Sequence, residues 1–93
     1  MNLTILRRSS DKYFISDYDN GKIISLTRIY KDIGMEKSLL RQILEKKFNA
    51  KFCYVHSVSG ECMFFKGMGN AKQALEWIEG RIVAERLSGN NGK

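Results

Sequence analysis

The sequence predicts an α+β fold, and three observations carry that prediction. Residues 2–8 and 12–16 are rich in β-branched and aromatic side chains, as short strands are. Between residues 26 and 44, apolar side chains recur at the spacing of amphipathic helices. Another helical stripe of apolar side chains follows Asn70, widened by Trp77 and Val83. We therefore expect an N-terminal β-meander, two short helices, a β-hairpin and a long C-terminal helix, in that order.

The N-terminal third is predicted to form the meander. Residues 9–11 are turn-forming residues between the first two strands. Asn20-Gly21 is a strong signal for a tight reversal, because both residue types tolerate positive φ angles. Residues 22–25 then lead away as a third extended segment.

Two helices between Ser25 and Phe48 are predicted to meet at Gly34, where the apolar spacing breaks and starts again. A helix often ends on a residue in the left-handed conformation, which costs a residue with a side chain about 1–2 kcal/mol. Glycine avoids that cost, so Gly34 suits a tight turn between two helices. Asn49 is expected to cap the second helix.

Six residues of these helices carry a resemblance to a known family: Ile29, Ile33, Gly34, Met35, Leu40 and Ile43. They match the buried positions and the turn glycine of the helix-turn-helix family, whose second helix lies in the major groove of DNA. The match covers about a quarter of the chain. Tyr30 departs from the pattern, because the family usually has a small residue there. The two helices must therefore cross at a wider angle, or the ring must point elsewhere.

The resemblance implies that the two short helices form a helix-turn-helix arrangement and that the chain binds duplex DNA and regulates transcription. The outward residues of the second helix, implied to meet base edges or neighbouring phosphates, are Lys37, Ser38, Arg41 and Gln42. A homodimer would follow, because helix-turn-helix proteins often pair half-sites. The alternative is a plain helical hairpin that packs on the sheet without contacting DNA.

A second resemblance covers the chain from Ile23 onward. The predicted order of strand, helix, helix, strand, strand and helix is similar to that of a K-homology (KH) RNA-binding domain, with local matches at residues 50–52 and at Lys66-Gly67. The loop that reads Gly-x-x-Gly in that family reads Gly34-Met35-Glu36-Lys37 here. This puts an acid where the phosphate backbone would approach. The resemblance implies a binder of single-stranded RNA or DNA, or a protein-interaction module that has lost RNA binding.

The excess positive charge lies around the two short helices. Residues 22–51 carry eight basic residues against three acids, which accounts for +5 of the net charge of +6. Such a segment attracts phosphate by a salt-sensitive term that does not depend on base sequence. An ordinary solvated helix face is the alternative. The predicted phosphate contacts are Lys22, Arg28, Lys31, Lys46, Lys47 and Lys51.

Residues 51–66 predict a β-hairpin with a two-residue turn at Ser59-Gly60. That register sets Val58 opposite Glu61. Both faces of the hairpin are apolar, so we expect it inside a sheet that is covered on at least one side. Its aromatic side chains either belong to the core or stack on the nucleobases of a single strand.

The two cysteines and the single histidine do not predict a chemical site. In the predicted register, Cys53 and Cys62 share a face but lie about four ladder steps apart, which exceeds the reach of a disulfide. We expect two reduced, mostly buried thiols. His56 points to the opposite face, and the chain lacks the ligand spacing of a zinc site. The sequence therefore predicts a protein that is not an enzyme, without catalytic residues, metal or cofactor.

A chain of 93 residues, 43% of them hydrophobic, suffices for one modest core. We expect one domain over residues 1–88, with the last helix starting at a capping-box-like Asn70 and stopping at Ser88. Residues 89–93 are expected to form a frayed C-terminal tail. No stretch approaches the roughly 20 apolar residues of a membrane span, and the first residues do not resemble a secretory signal. We therefore expect a cytoplasmic protein without a membrane partner.

These observations together favour a small basic nucleic-acid-binding protein. Duplex DNA is the favoured partner, and single-stranded RNA or DNA is the second. The alternative from a different class is a small protein-binding inhibitor or adaptor that uses the last helix and the hairpin as its surface. Salt separates the two classes, because binding to phosphate weakens steeply with rising salt and an apolar interface does not.

Overall fold

A four-stranded antiparallel sheet and three helices make up the structure. The computed structural model describes residues 2–9 and 11–91, with side chains up to Leu87. The elements are β1 (Leu3–Ser9), β2 (Lys12–Asp17), α1 (Leu26–Ile33), α2 (Lys37–Phe48), β3 (Lys51–Tyr54), β4 (Glu61–Phe65) and α3 (Met68–Asn91). The predicted α+β fold class and the order of its elements are confirmed.

The strands lie in the order β1-β2-β4-β3, so β1 and β3 are the edges of the sheet. Side chains alternate between two faces along each strand. All three helices pack on one face, where Leu3, Ile15 and Phe65 join the apolar residues of the helices in the main core. The opposite face is called the outer face below. Its strand residues in contact are Leu6, Phe14, Cys53, Cys62 and Phe64.

The ends of α1 and α2 follow local capping rules. The hydroxyl oxygen of Ser25 accepts a hydrogen bond from the Arg28 amide at 3.3 Å and so starts α1. Gly34 ends α1 with a φ of 65°, and its amide donates to the Lys31 carbonyl at 3.4 Å. Asn49 ends α2 with a φ of 58°, a conformation that asparagine tolerates. The predictions for Gly34 and Asn49 are confirmed.

The start of α3 differs from its prediction. The helix begins at Met68, two residues before Asn70. The amide of Ala71 donates to the carbonyl of Gly67 at 3.1 Å, which closes the first helical turn earlier in the chain. Asn70 therefore lies inside the first turn, and the prediction that it opens the helix is wrong.

The C-terminal end of α3 lies beyond its predicted stop at Ser88. The helix continues to Asn91, whereas Ile82 is the last buried residue among its side chains that are described, which extend to Leu87. Glycine and asparagine cost about 1 kcal/mol or less each relative to alanine, which a long helix tolerates near its end. Residues 92 and 93, the remainder of the predicted tail, lie outside the described residues. None of the helices in the described part of the chain is long and apolar enough to cross a membrane.

The third extended segment of the predicted meander is reduced to a single bridge. Ile23 pairs with Ser16 in isolation, and the amide of Ile24 donates to the Ile15 carbonyl at 3.1 Å. The chain then turns into α1 at Ser25, which leaves no length for a strand. The described N-terminal third is a two-stranded hairpin followed by a bridged segment.

The β3–β4 hairpin is shorter than predicted and has a different register. Tyr54, and not Val58, lies opposite Glu61. The connection is a loop over residues 55–60 instead of a two-residue turn. This longer loop lets Val55 and Val58 pack against the outer face, which buries apolar surface that a tight turn would leave in water.

The new register corrects the prediction for the cysteines. It differs by four residues along β3, and an even shift leaves each strand side chain on its predicted face. Cys53 lies directly opposite Cys62 instead of four ladder steps away. Both are free thiols, with Cys62 buried and Cys53 half-buried. His56 was predicted on a strand face but is exposed in the loop.

Candidate nucleic-acid interface

The first turn of α2 carries a fixed negative charge. The carboxylate of Glu36 accepts hydrogen bonds from the amides of Ser38 and Leu39, at 3.0 and 3.4 Å. It also accepts from the Ser38 hydroxyl, at 2.8 Å to one oxygen and 2.7 Å to the other. The Ser38 side chain and then its amide lower the pKa of Glu36 below the ordinary value. The Ser38 hydroxyl, a predicted DNA contact, is therefore engaged by the helix cap.

A second carboxylate lies beside the turn between α1 and α2. A Cβ atom added to Gly34 would lie 2.8 Å from the carboxylate carbon of Glu85 on α3. Glu36 and Glu85 therefore both lie near the start of α2, where they repel phosphate. Lys37 is exposed at this end of the helix. The part of α2 best suited to phosphate is consequently its C-terminal half.

Arg41 connects α2 to the β3–β4 hairpin. Its guanidinium forms an ion pair with the carboxylate of Glu61. The guanidinium carbon also lies 4.2 Å from the ring centroid of Phe52, within the range of a cation–π contact. Arg41 was predicted to meet base edges or neighbouring phosphates. In the structure its charge is engaged within the protein, where it holds α2 against the sheet.

Three of the predicted contact residues lie together on α2. Gln42, Lys46 and Lys47 surround an open groove of about 370 Å³ between α2 and α3. All three are exposed. Ile43 and Trp77, both half-buried, supply the apolar part of the groove. The groove therefore offers two ammonium groups and an amide beside an indole ring.

Trp77 is the residue of this groove that sequence reasoning assigned to the apolar stripe of α3. Its ring packs against Phe48, with the two centroids 5.9 Å apart. The ammonium nitrogen of Lys47 lies 5.9 Å from the same Phe48 ring. The helical spacing predicted that Trp77 packs inward, and in the structure its side chain is half-buried. Its contact with α2 depends on how α3 crosses that helix, and the sequence carries no signal for that angle.

Two further predicted residues lie on a different surface. Lys22 and Arg28 line a separate depression of about 210 Å³ between the start of α1 and the 55–60 loop. Asp17 lines it as well, with its Oδ2 atom 3.7 Å from Nη1 of Arg28. The acid offsets part of the positive charge at this site, so the depression is a weaker candidate for phosphate than the α2 groove.

The remaining predicted residues are spread over the molecule. Lys31 is exposed on α1, and Lys37 is exposed at the start of α2. Lys51 lies on β3 opposite Phe64, on the outer face of the sheet. The structure thus divides the predicted set of ten residues among the α2 groove, the Lys22 depression, the outer face and isolated positions.

The described residues do not assemble a recognisable chemical centre. Burial raises the pKa of both Cys53 and Cys62, which keeps the thiols protonated and weakly nucleophilic at neutral pH. Among the residues that the structure describes, no group of three His, Cys, Asp or Glu side chains could hold a metal ion. Comparisons with protein families, curated proteins and solved structures gave no match to this chain.

Proposed function

We propose that this chain is a nucleic-acid-binding protein that catalyses no reaction and that its α2 surface binds duplex DNA. The observation that carries the proposal is the groove at which Gln42, Lys46 and Lys47 meet beside Trp77. The tight turn of α1 and α2 at Gly34 supports a helix-turn-helix mode of binding. A cytoplasmic location and a role in transcription belong to the same proposal, because DNA is the ligand.

In this proposal, Lys46 and Lys47 contact neighbouring phosphates of one DNA strand. Their ammonium groups release counterions from the duplex, which supplies affinity without base specificity. Gln42 lies four residues before Lys46 and so faces the same side of the helix. Its amide has the donor and acceptor that pair with an adenine edge in the major groove. Gln42 therefore contributes specificity, whereas the lysines contribute affinity.

Arg41 has a positioning role in the proposal. Its ion pair with Glu61 and its contact with Phe52 hold α2 on the sheet. The carboxylates of Glu36 and Glu85 then disfavour binding of a phosphate at the opposite end of the helix. Together these contacts direct the duplex toward the C-terminal half of α2.

The experiment compares the wild type with the double variant Lys46→Gln, Lys47→Gln on a fluorescein-labelled duplex. The double variant loses two phosphate contacts, so the slope of log K against log salt falls by about 2. Trp77 is the only tryptophan in the chain and lies in the groove, so duplex binding changes its fluorescence. Fluorescence anisotropy between about 50 and 200 mM salt measures the slope.

The matched control is Lys72→Gln. Lys72 is an exposed lysine of α3 in a different groove, next to Thr4 and Ile5 of β1. This variant removes one positive charge, where the double variant removes two, and it should keep wild-type affinity and salt slope. If the double variant binds like the Lys72 control, the α2 groove is not the DNA-binding surface.

A protein-binding inhibitor or adaptor is the second candidate function. Val83 is 53% exposed and Leu87 is 57% exposed, and they lie four residues apart on one side of α3. Leu39 on α2 is 47% exposed. An apolar interface of this kind loses little affinity over the salt range in which phosphate contacts lose most of theirs. The salt series above therefore separates the two functions.

A further inference from the structure

The outer face of the sheet presents one row of side chains across all four strands. Leu6 of β1 pairs with Phe14 of β2, and Phe14 pairs with Phe64 of β4. Phe64 in turn pairs with Lys51 of β3. Directly opposed residues of neighbouring strands point to the same face. These four side chains therefore form a continuous line, called the outer-face row below.

The row contains an aromatic surface that reaches solvent. The rings of Phe14 and Phe64 lie 5.8 Å apart and are tilted by 45°. Phe14 is buried, whereas Phe64 and Leu6 are half-buried. The ammonium nitrogen of Lys12 lies 5.1 Å from the centroid of Phe64. Phe64 is therefore a partly exposed ring with a cation at its face.

One end of the outer face is covered, and at the other end no described residue packs over the strands. Ile23, which bridges Ser16, covers the end beyond Phe14, and Val55 and Val58 of the 55–60 loop pack there too. No residue of a described helix belongs to this cluster. The row itself lies toward Lys12, on the open side. A ligand can therefore reach Phe64 from that side without unfolding any element.

Two charged strand residues, both lysines, lie in or next to the outer-face row. Lys51 belongs to the row, and Lys12 lies over Phe64. The two acids located in strands, Asp17 and Glu61, form ion pairs with α1 and α2 on the helix-covered face. Asp11 lies outside the row, in the turn between β1 and β2. An aromatic ring between two lysines thus has no strand carboxylate beside it in the described sheet.

We infer that the outer-face row binds a single nucleic-acid strand, at a site separate from the α2 groove. One nucleobase stacks on Phe64, because every base has a flat face that an aromatic ring accepts. Lys12 then moves from the ring to a phosphate, and Lys51 contacts a second phosphate at the other end of the row. Four-stranded sheets with exposed aromatic rings accommodate two or three bases in this way.

The chemistry of the outer-face row also determines which features of a nucleic acid the site does not recognise. The row and Lys12 contribute hydrocarbon, aromatic and ammonium groups. These groups neither distinguish base edges nor detect the ribose 2′-hydroxyl by a matched donor and acceptor. The occupant is therefore any unpaired strand, and DNA and RNA of the same sequence bind within a few fold of each other.

Charge argues against a second copy of the chain as the occupant. Two copies facing each other through the row would bring Lys12 and Lys51 of each toward the lysines of the other, and like charges at an interface disfavour association. The acidic side chains of a polypeptide satisfy the charge, but they carry no flat ring to stack on Phe64. A nucleic-acid strand supplies both phosphate and a flat ring.

The test measures binding of a fluorescein-labelled ten-residue oligothymidylate by anisotropy. Phe64→Leu keeps an apolar side chain of similar size but removes the ring. It should weaken binding about 5- to 150-fold, the usual contribution of one base stacked on an aromatic ring. Lys12→Gln with Lys51→Gln should lower the salt slope by about 1.4, since each phosphate contact on a single strand contributes about 0.7.

The control is Lys72→Gln, which removes an exposed lysine of α3 on the helix-covered side of the sheet. It should bind oligothymidylate like the wild type. In the wild type, oligothymidylate should leave the fluorescence of Trp77 unchanged, because Trp77 lies on the opposite side of the sheet. Oligouridylate should bind within a few fold of oligothymidylate. These results would hold even if the duplex proposal failed, because the two tests use different residues and different ligands.

Three results would overturn the inference. The first is unchanged oligonucleotide affinity and salt slope in the Lys12→Gln, Lys51→Gln variant. Both lysines are exposed, so the substitutions should leave the fold intact. The second is equal binding of polyglutamate, which would show that charge alone determines the ligand. The third is self-association that Phe64→Leu abolishes, which would assign the row to a second copy of the chain.

Discussion

The two faces of the sheet differ in what their charged residues do. On the helix-covered face, Arg28 lies against Asp17. A second ion pair there joins Arg41 to Glu61. On the outer face, Lys51 forms no ion pair with any described residue. A count of basic residues therefore overstates the positive charge available to a ligand, because acidic residues of the same chain neutralise part of it.

The largest expected effect comes from two neighbouring phenylalanines on opposite faces. Phe65 is fully buried in the main core, whereas Phe64 is half-buried on the outer face. Phe65→Ala should lower the free energy of unfolding by about 3–5 kcal/mol, because it leaves a cavity among packed side chains. Phe64→Leu should cost less than about 1.5 kcal/mol. Urea denaturation measures both, and equal losses would mean that the faces are packed alike.

A smaller effect on stability is expected for the basic residues, which differ between the two faces of the sheet. Arg41→Ala should lower the free energy of unfolding by about 1 kcal/mol, because the ion pair with Glu61 is partly exposed and the contact with Phe52 is lost as well. Lys51→Ala should change it by less than about 0.5 kcal/mol. Thermal denaturation of the two variants checks the difference. A neutral Arg41→Ala would return Arg41 to the set of residues free to contact DNA.

The smallest expected effect concerns the carboxylate that caps α2. The pKa of Glu36 is lowered in the folded protein, chiefly by the Ser38 side chain, from an ordinary value of 4.5. A lowered pKa means that the charged carboxylate stabilises the fold above about pH 4.5, and that this stability is lost as pH falls through the folded pKa. Glu36→Gln should therefore be slightly less stable than the wild type at pH 7.

The difference between Glu36→Gln and the wild type should shrink as the pH falls from 7 through 4.5 and on through the lower pKa of the folded carboxyl, because the wild-type carboxyl then takes up a proton as well. Urea midpoints over this pH range give the comparison. A difference that does not change with pH would show that shape, and not charge, makes Glu36 a cap.

The helical segment and its ends could be predicted from the sequence because they depend on local rules. Gly34 and Asn49 end their helices in left-handed conformations that glycine and asparagine tolerate. The helical period likewise placed Ile29, Ile33 and Leu40 in the core. Each of these properties depends on residues within a few positions along the chain.

The hairpin register could not be predicted in the same way. Ser59-Gly60 is a strong local turn signal, yet the structure has a six-residue loop over residues 55–60. The packing of Val55 and Val58 on the outer face stabilises the longer loop. The predicted faces nevertheless remained correct, because side chains alternate with a period of two and the register differed by an even number.

The candidate interface likewise combines features that depend on local sequence with features that depend on tertiary contacts. The fold class, the two helices that meet at Gly34 and the basic character of residues 22–51 could be predicted, since they follow from local spacing and composition. Only the folded structure shows that Arg41 meets Glu61, that Trp77 lines the α2 groove and that Phe64 is half-buried on the outer face. These contacts join residues far apart in the chain, and their distances depend on how helices cross and strands pair.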